Sequence, residues 1–180
     1  MRSPKEILDF WFGELTFEQC FNATPEVDEM VRARFGETHL ALARGVSEEW
    51  RATPEGRLAA IIVLDQFPRN IYRGTGHAFA TDGLALQEAR LALAAKADDA
   101  LSKQQRIFMY LPFEHSEDMA DQNRSVVLFS DLGIDDVTSY AERHRMVIRE
   151  FGRFPHRNTV LGRQSTEAEL RYLAMPGAGF

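Results

Sequence analysis

The chain has 180 residues, 44% hydrophobic and 27% charged, and a net charge of −6 at pH 7, enough for one domain over residues 1–180 with a buried core. A pI near 5.4 excludes general binding to nucleic acid or acidic membranes, which needs a broad basic face. The single cysteine, Cys20, cannot form an internal disulfide, which fits a reducing, cytoplasmic setting.

The N-terminal segment MRSPKEILDFWFGEL has acids inside its apolar stretch and does not read as a signal peptide. Ser3, Pro4 and Glu6 supply an N-cap, a first-turn proline and a capping box. Ile7, Phe10 and Trp11 then share a face, and Gly13 is the expected stop. Thr24 and Pro25 open a second helix, with Val27, Val31, Phe35 and Leu42 near one stripe and Gly45 beyond its end. Thr53 and Pro54 open a third. There Leu58, Ile61, Ile62 and Leu64 leave little polar face, so this helix is expected to be central. Its apolar run, residues 58 to 64, is far too short to span a bilayer. Pro68 ends it and opens a new turn.

Residues 81 to 96 are rich in Ala and Leu and predict a helix. Residues 101 to 111 predict another, stopped by Pro112. Ser116 is the expected cap of a helix that carries Val126, Val127 and Phe129 and stops near Gly133. Asp135 or Asp136 is expected to cap the next, with an inner stripe of Val137, Tyr140, Ala141, His144, Ile148 and Phe151. Thr166 and Glu169 form a capping box for a last short helix containing Leu170 and Leu173. No alternating β-branched run with hairpin turns appears. The fold class read from these signals is all-α, with about eight or nine helices. Short connections predict antiparallel stacked hairpins.

Six separated segments, LDFWFG, LDQFPRNIYRGT, AFATD, YLPFEHSED, FGRFPHRN and LGRQST, occur in this order and together resemble the bacterial domain-of-unknown-function family number 924. The resemblance spans essentially the whole chain. It implies an all-helical fold similar to tetratricopeptide-type right-handed superhelices, and it implies no activity. The 34-residue tetratricopeptide signature itself is not visible here. Near the N-terminus, Cys20-Phe21 stands where members of the family often carry Trp-Phe.

Two of these segments share a pattern. Residues 65 to 70, DQFPRN, and residues 153 to 158, RFPHRN, each close a helix and set a proline before basic residues. Arginine or histidine at a helix N-terminus is locally unfavourable unless something negative is near. Arg69, Asn70, Arg73, Arg153, His156, Arg157, Asn158 and Arg163 therefore point to a bound anion, since the arginine fork fits carboxylate or phosphate. The alternative is a structural ion network with the chain's own Asp65, Asp82, Glu117 and Asp118. With His115, Asp118, Gln122 and His144 added, the first reading is a polar pocket formed where residues 65–73, 112–122 and 151–163 meet. Its ligand is a small anionic metabolite or an acidic peptide end.

A second reading is a hydrolase-like enzyme in which His115, His156 or Glu117 does acid–base work, with or without a metal. No standard zinc spacing, nucleophile elbow or phosphate-binding loop is present, so no metal ligands or cofactor are assigned. A third is a scaffold whose stacked hairpins present a groove to a partner protein. Nothing in the sequence selects an oligomeric state.

Overall fold

The computed structural model describes residues 1–179. Among them every regular element is helical, and no helix is long and apolar enough to cross a membrane. The chain forms two compact units. One comprises Met1–Arg73 with His77–Pro112, and the other comprises Gly74–Gly76 with the chain from Phe113 onward.

In the first unit, α1 (Pro4–Asp9) starts from the expected capping box: the Glu6 amide donates to Ser3 Oγ at 3.4 Å, and the Ser3 amide donates to Glu6 Oε2 at 2.8 Å. Gly13 does not stop this helix. The backbone widens into a π turn over Phe10–Glu14 that contains Gly13, and the chain leaves it at Leu15. A one-turn helix, α2 (Phe17–Phe21), follows under its own capping box from Thr16 and Gln19. Thr24 caps α3 (Pro25–Leu42). The short α4 (Glu48–Arg51) leads to α5 (Pro54–Asp65), capped by Thr53.

Every residue of α5 from Leu58 to Asp65 has zero exposure, and α1, α3, α4, α6 (Phe67–Ile71) and α7 (Asp82–Ala94) all pack on it. Burying Leu58, Ile61, Ile62 and Leu64 contributes about 2 kcal/mol each. Gly56 allows α4 to approach this closely, because a Cβ there would lie 2.3 Å from the Trp50 carbonyl oxygen. An aromatic cluster completes the core. Phe10, Phe35 and Phe67 meet at 4.9 to 6.4 Å, and Trp11 lies 5.6 Å from both Phe67 and Phe108.

Pro112 does not end its helix. α8 runs over Lys103–Glu114 with the proline inside. An internal proline costs about 3 kcal/mol. Met109, Tyr110, Leu111 and Phe113, all buried around it, outweigh that cost.

In the second unit, α9 (Met119–Leu132) and α10 (Asp135–Phe151) pack on each other. Gly133 turns the chain between them with φ 65°, a left-handed conformation that a side chain disfavours. Asp118, not Ser116, is the N-cap of α9 and accepts from the Ala120 and Asp121 amides at 2.7 and 3.2 Å. Ser116 instead donates to Asp121 Oδ2 at 2.8 Å.

Ile134 occupies the N-cap of α10, and Asp135 and Asp136 lie in its first turn, where the helix dipole favours acids. The buried face of α10 is Ala141, His144, Val147 and Ile148. Tyr140, expected inside, is half exposed. Val127 of α9 is likewise exposed, while Leu128, Phe129 and Leu132 are buried. Phe154 joins Val147 and Ile148 in the core of this unit, with Met119, Phe151 and Tyr172 against it. Pro155 opens a short 3-10 turn, and Thr166 caps α11 (Glu167–Leu173), where Leu170 is exposed.

Candidate functional site

The candidate residues fall in both units. Arg69, Asn70 and Arg73 belong to the first. His115, Glu117, Asp118, Gln122, His144, Arg153, His156, Arg157, Asn158 and Arg163 belong to the second.

In the first unit, Arg69 on α6 holds Asp82 with both terminal nitrogens, at 2.8 and 3.1 Å. It also faces Asp65 Oδ1 at 3.6 Å and stands over the Phe79 ring at 5.5 Å. Burial opposes its charge, and the two aspartates more than restore it, so its pKa is raised. Asn70 Nδ2 donates to Asp28 at 2.8 Å, and Arg73 grips the same carboxylate at 2.5 and 2.8 Å. Burial pushes the Asp28 carboxyl up, but bonds from Arg73 and Asn70 hold it below the usual range. Asp28 was not singled out in the sequence. Its signal was there: an acid three and seven residues before Val31 and Phe35 sits on the apolar face of α3.

The second unit repeats the pattern. Arg163 meets Glu117 at 2.7 and 3.0 Å, and also donates to Asn158 Oδ1 and the Phe154 carbonyl. Glu117 additionally accepts the Phe154 amide at 2.7 Å. Burial raises its pKa, but these bonds bring it below the usual carboxylate range. Arg153 grips Glu169 at 2.6 and 2.8 Å, which holds that carboxyl down to about 2. Asn158 Nδ2 donates to Ser165. Asp118, expected among the arginine partners, is occupied as the α9 cap. The planar forks of Arg69, Arg73, Arg153 and Arg163 are thus each taken up by a carboxylate of the chain itself. That is the arrangement of a structural ion network.

A different arrangement surrounds Phe154, which has no exposure. The His144 ring lies 5.6 Å from it edge-on, His156 lies 5.6 Å away, and the Arg157 guanidinium stands over it at 4.5 Å. The buried Arg157 side chain is thereby desolvated against an aromatic face. His144 is buried on α10, and its Nδ1 donates to the Tyr140 carbonyl at 2.9 Å. Burial above all, with His115, Arg157 and His156 nearby disfavouring a further positive charge, pushes its pKa down to about 3. Its 3.4 Å approach to Glu114 Oε1 is therefore the contact of a neutral ring and not an ion pair. So low a pKa makes His144 a weak base at neutral pH. Gln122, also buried, donates through Nε2 to the carbonyls of Glu114 and Ser116 at 2.6 and 2.7 Å. Glu114 and the Phe154 ring were missed as organisers of this cluster, because the first needs α10 and the second needs the turn of the chain behind it.

Cys20 is no nucleophile: burial pushes its thiol up to about 12. Among the described residues, no group of three or more His, Cys, Asp or Glu side chains is disposed to hold a metal ion.

The model of a family described as bacterial proteins of unknown function, DUF924, matches residues 7–177. A solved structure of a protein of unknown function from Agrobacterium tumefaciens, ATU0120, is 41% identical. It covers 95% of this chain and 96% of its own, with a TM-score of 0.88. No curated protein matches.

Proposed function

The chain belongs to this family of bacterial proteins of unknown function, and we propose that its second unit binds a small anionic ligand beside Phe154. The ligand class is a carboxylate or phosphate metabolite, or the acidic end of a peptide. One observation carries the reading: Arg157, His156 and His144 share a single aromatic ring, with Arg157 within 4.5 Å of its centroid. An arginine charge held in a poorly solvated place beside two imidazole rings suits a negative ligand. His115 acts on the same centre. Within the same unit Arg153 and Arg163 each grip a carboxylate of the chain and are not contacts of the ligand, and Arg69 and Arg73 belong to the other unit. A cytoplasmic setting fits the lone buried thiol of Cys20.

A thermal-shift series with inorganic phosphate, succinate, citrate and an acidic C-terminal peptide tests this. The expected result is a concentration-dependent rise in Tm with at least one of them, weakened by Arg157→Lys and His156→Gln. No shift with any anion, or a shift untouched by both substitutions, overturns it.

The finer architecture belongs to the same proposal. A tetratricopeptide-like stack of antiparallel hairpins is supported by α9 and α10, which pack together across a two-residue connection. One further observation favours partner binding. Phe17 and Phe21 are exposed, 5.1 Å apart, and Phe21 stacks on Phe108. Such exposed aromatics suit a protein-binding surface, and retrieval of one defined partner, lost in Phe17→Ser/Phe21→Ser, tests it.

A further inference from the structure

Beside this cluster, α9 holds two buried polar atoms that have no hydrogen-bond partner among the described residues, Gln122 Oε1 and Ser125 Oγ. Both residues have zero exposure. The Gln122 amide cannot be turned round to change this. Its Nε2 already faces two carbonyl oxygens, Glu114 at 2.6 Å and Ser116 at 2.7 Å, and exchanging the two ends would set oxygen against oxygen. Oε1 therefore points away from that backbone as a bare acceptor. Ser125 lies three residues on, on the same face of the helix. Its hydroxyl can donate and accept, yet it does not bond back to the preceding turn as helical serines often do. Buried polar atoms are nearly always paired, so two adjacent exceptions mark a place where something else supplies the partner.

The place is joined to the basic cluster by direct contacts. Gln122 holds the Glu114 carbonyl, Glu114 Oε1 lies 3.4 Å from His144 Nδ1, and His144 packs edge-on against Phe154 under Arg157. Resting on the anion-binding reading above, we infer that Gln122 Oε1 and Ser125 Oγ receive a hydroxyl group of the ligand, which is therefore a hydroxylated carboxylate or phosphate rather than a bare one. A hydroxyl fits both atoms at once: it donates to Gln122 Oε1 and accepts from the Ser125 hydroxyl. An ammonium group fits less well. It would bring a charge into a fully buried spot whose two receptors are neutral.

Matched pairs of probes test this: malate against succinate, and glycerol 3-phosphate against propyl phosphate, titrated by calorimetry into the wild-type chain and into Ser125→Ala. Ser125→Ala removes one oxygen that bonds none of the described residues, so the variant keeps the fold. Gln122 is left alone because its Nε2 holds two carbonyls. In the wild type the hydroxylated member of at least one pair binds about tenfold tighter. In Ser125→Ala that preference falls to near unity while the plain anion binds as before. Equal binding within both pairs, or a preference that survives Ser125→Ala, overturns the inference and leaves the anion site standing. Binding of neither pair, nor of inorganic phosphate, overturns the anion site and the inference with it.

Discussion

Arg163 and Glu117 face each other across 46 residues of sequence, two nitrogens to two oxygens at 2.7 and 3.0 Å. The same arginine also holds the Phe154 carbonyl, and the same glutamate holds the Phe154 amide. The pair therefore fixes the main chain at the start of the basic turn. Arg163→Ala is expected to destabilise the protein by about 2 kcal/mol, because a half-buried carboxylate loses its counter-charge. Urea unfolding of Arg163→Met, of Glu117→Gln and of the double variant Arg163→Met/Glu117→Gln gives the coupling, expected near 1 kcal/mol. Coupling below about 0.3 kcal/mol would reduce it to an ordinary surface pair.

His144 makes stability depend on mild acid. Its folded pKa of about 3 lies below its ordinary 6.5, so the unfolded chain takes up the proton first. Stability is complete above pH 6.5, falls as pH drops below it, and the loss is complete near pH 3. Near pH 4.5 the loss amounts to about 2 to 3 kcal/mol. His39, lowered by burial, adds a loss of the same sign. Between pH 6.5 and 5 the carboxylates held low by their arginines contribute little, so this window belongs to the histidines. His144→Gln is expected to flatten the curve there. An unchanged slope in urea unfolding from pH 7 to 5 would contradict it.

Two glycines of the first unit are expected to respond oppositely to alanine. At Gly56 the new Cβ meets the Trp50 carbonyl oxygen at 2.3 Å, so α4 and α5 must part, and Gly56→Ala is expected to cost about 3 kcal/mol. At Gly36, inside α3, nothing lies within 4 Å, and Gly36→Ala is expected to stabilise by about 0.5 to 1 kcal/mol. Thermal melts of the two variants should move in opposite directions.

Cys20 is expected to resist iodoacetamide in the folded protein at pH 8 and to react promptly in urea. Its pKa of about 12 leaves almost no thiolate, and its sulfur is buried against the carbonyls of Trp11 and Thr16. Fast labelling of the native chain, followed by mass spectrometry, would show that α2 opens.

What could be read from the sequence is what acts within a few residues. Ser3, Thr24, Thr53 and Thr166 announce their helices because a cap and its amide lie three residues apart, and each caps as expected. The centrality of α5 was legible from its near-continuous apolar run. Distant partners were not. Pro112 reads as a stop, and only the burial of its neighbours explains why the helix continues. Tyr140 shares spacing with the buried His144, Val147 and Ile148 yet faces outward, since spacing gives the stripe and not its edges. Asp65, Asp82 and Glu117 were foreseen as arginine partners, whereas Asp28 and Glu169 come from segments that nothing local ties to Arg73 or Arg153.

The Phe154 amide bonded to Glu117 has one more consequence. Glu117 precedes α9 and Phe154 follows α10, 37 residues on. The carboxylate thus clasps the helix pair at its open end, opposite the turn at Gly133. To splay the two helices, one glutamate must release an amide and both arms of an arginine together. Many small proteins secure such a loop with a disulfide, which restricts the unfolded chain as well. With a single cysteine, this chain fastens it by charge, so the fastening loosens in acid and leaves the unfolded chain unconstrained.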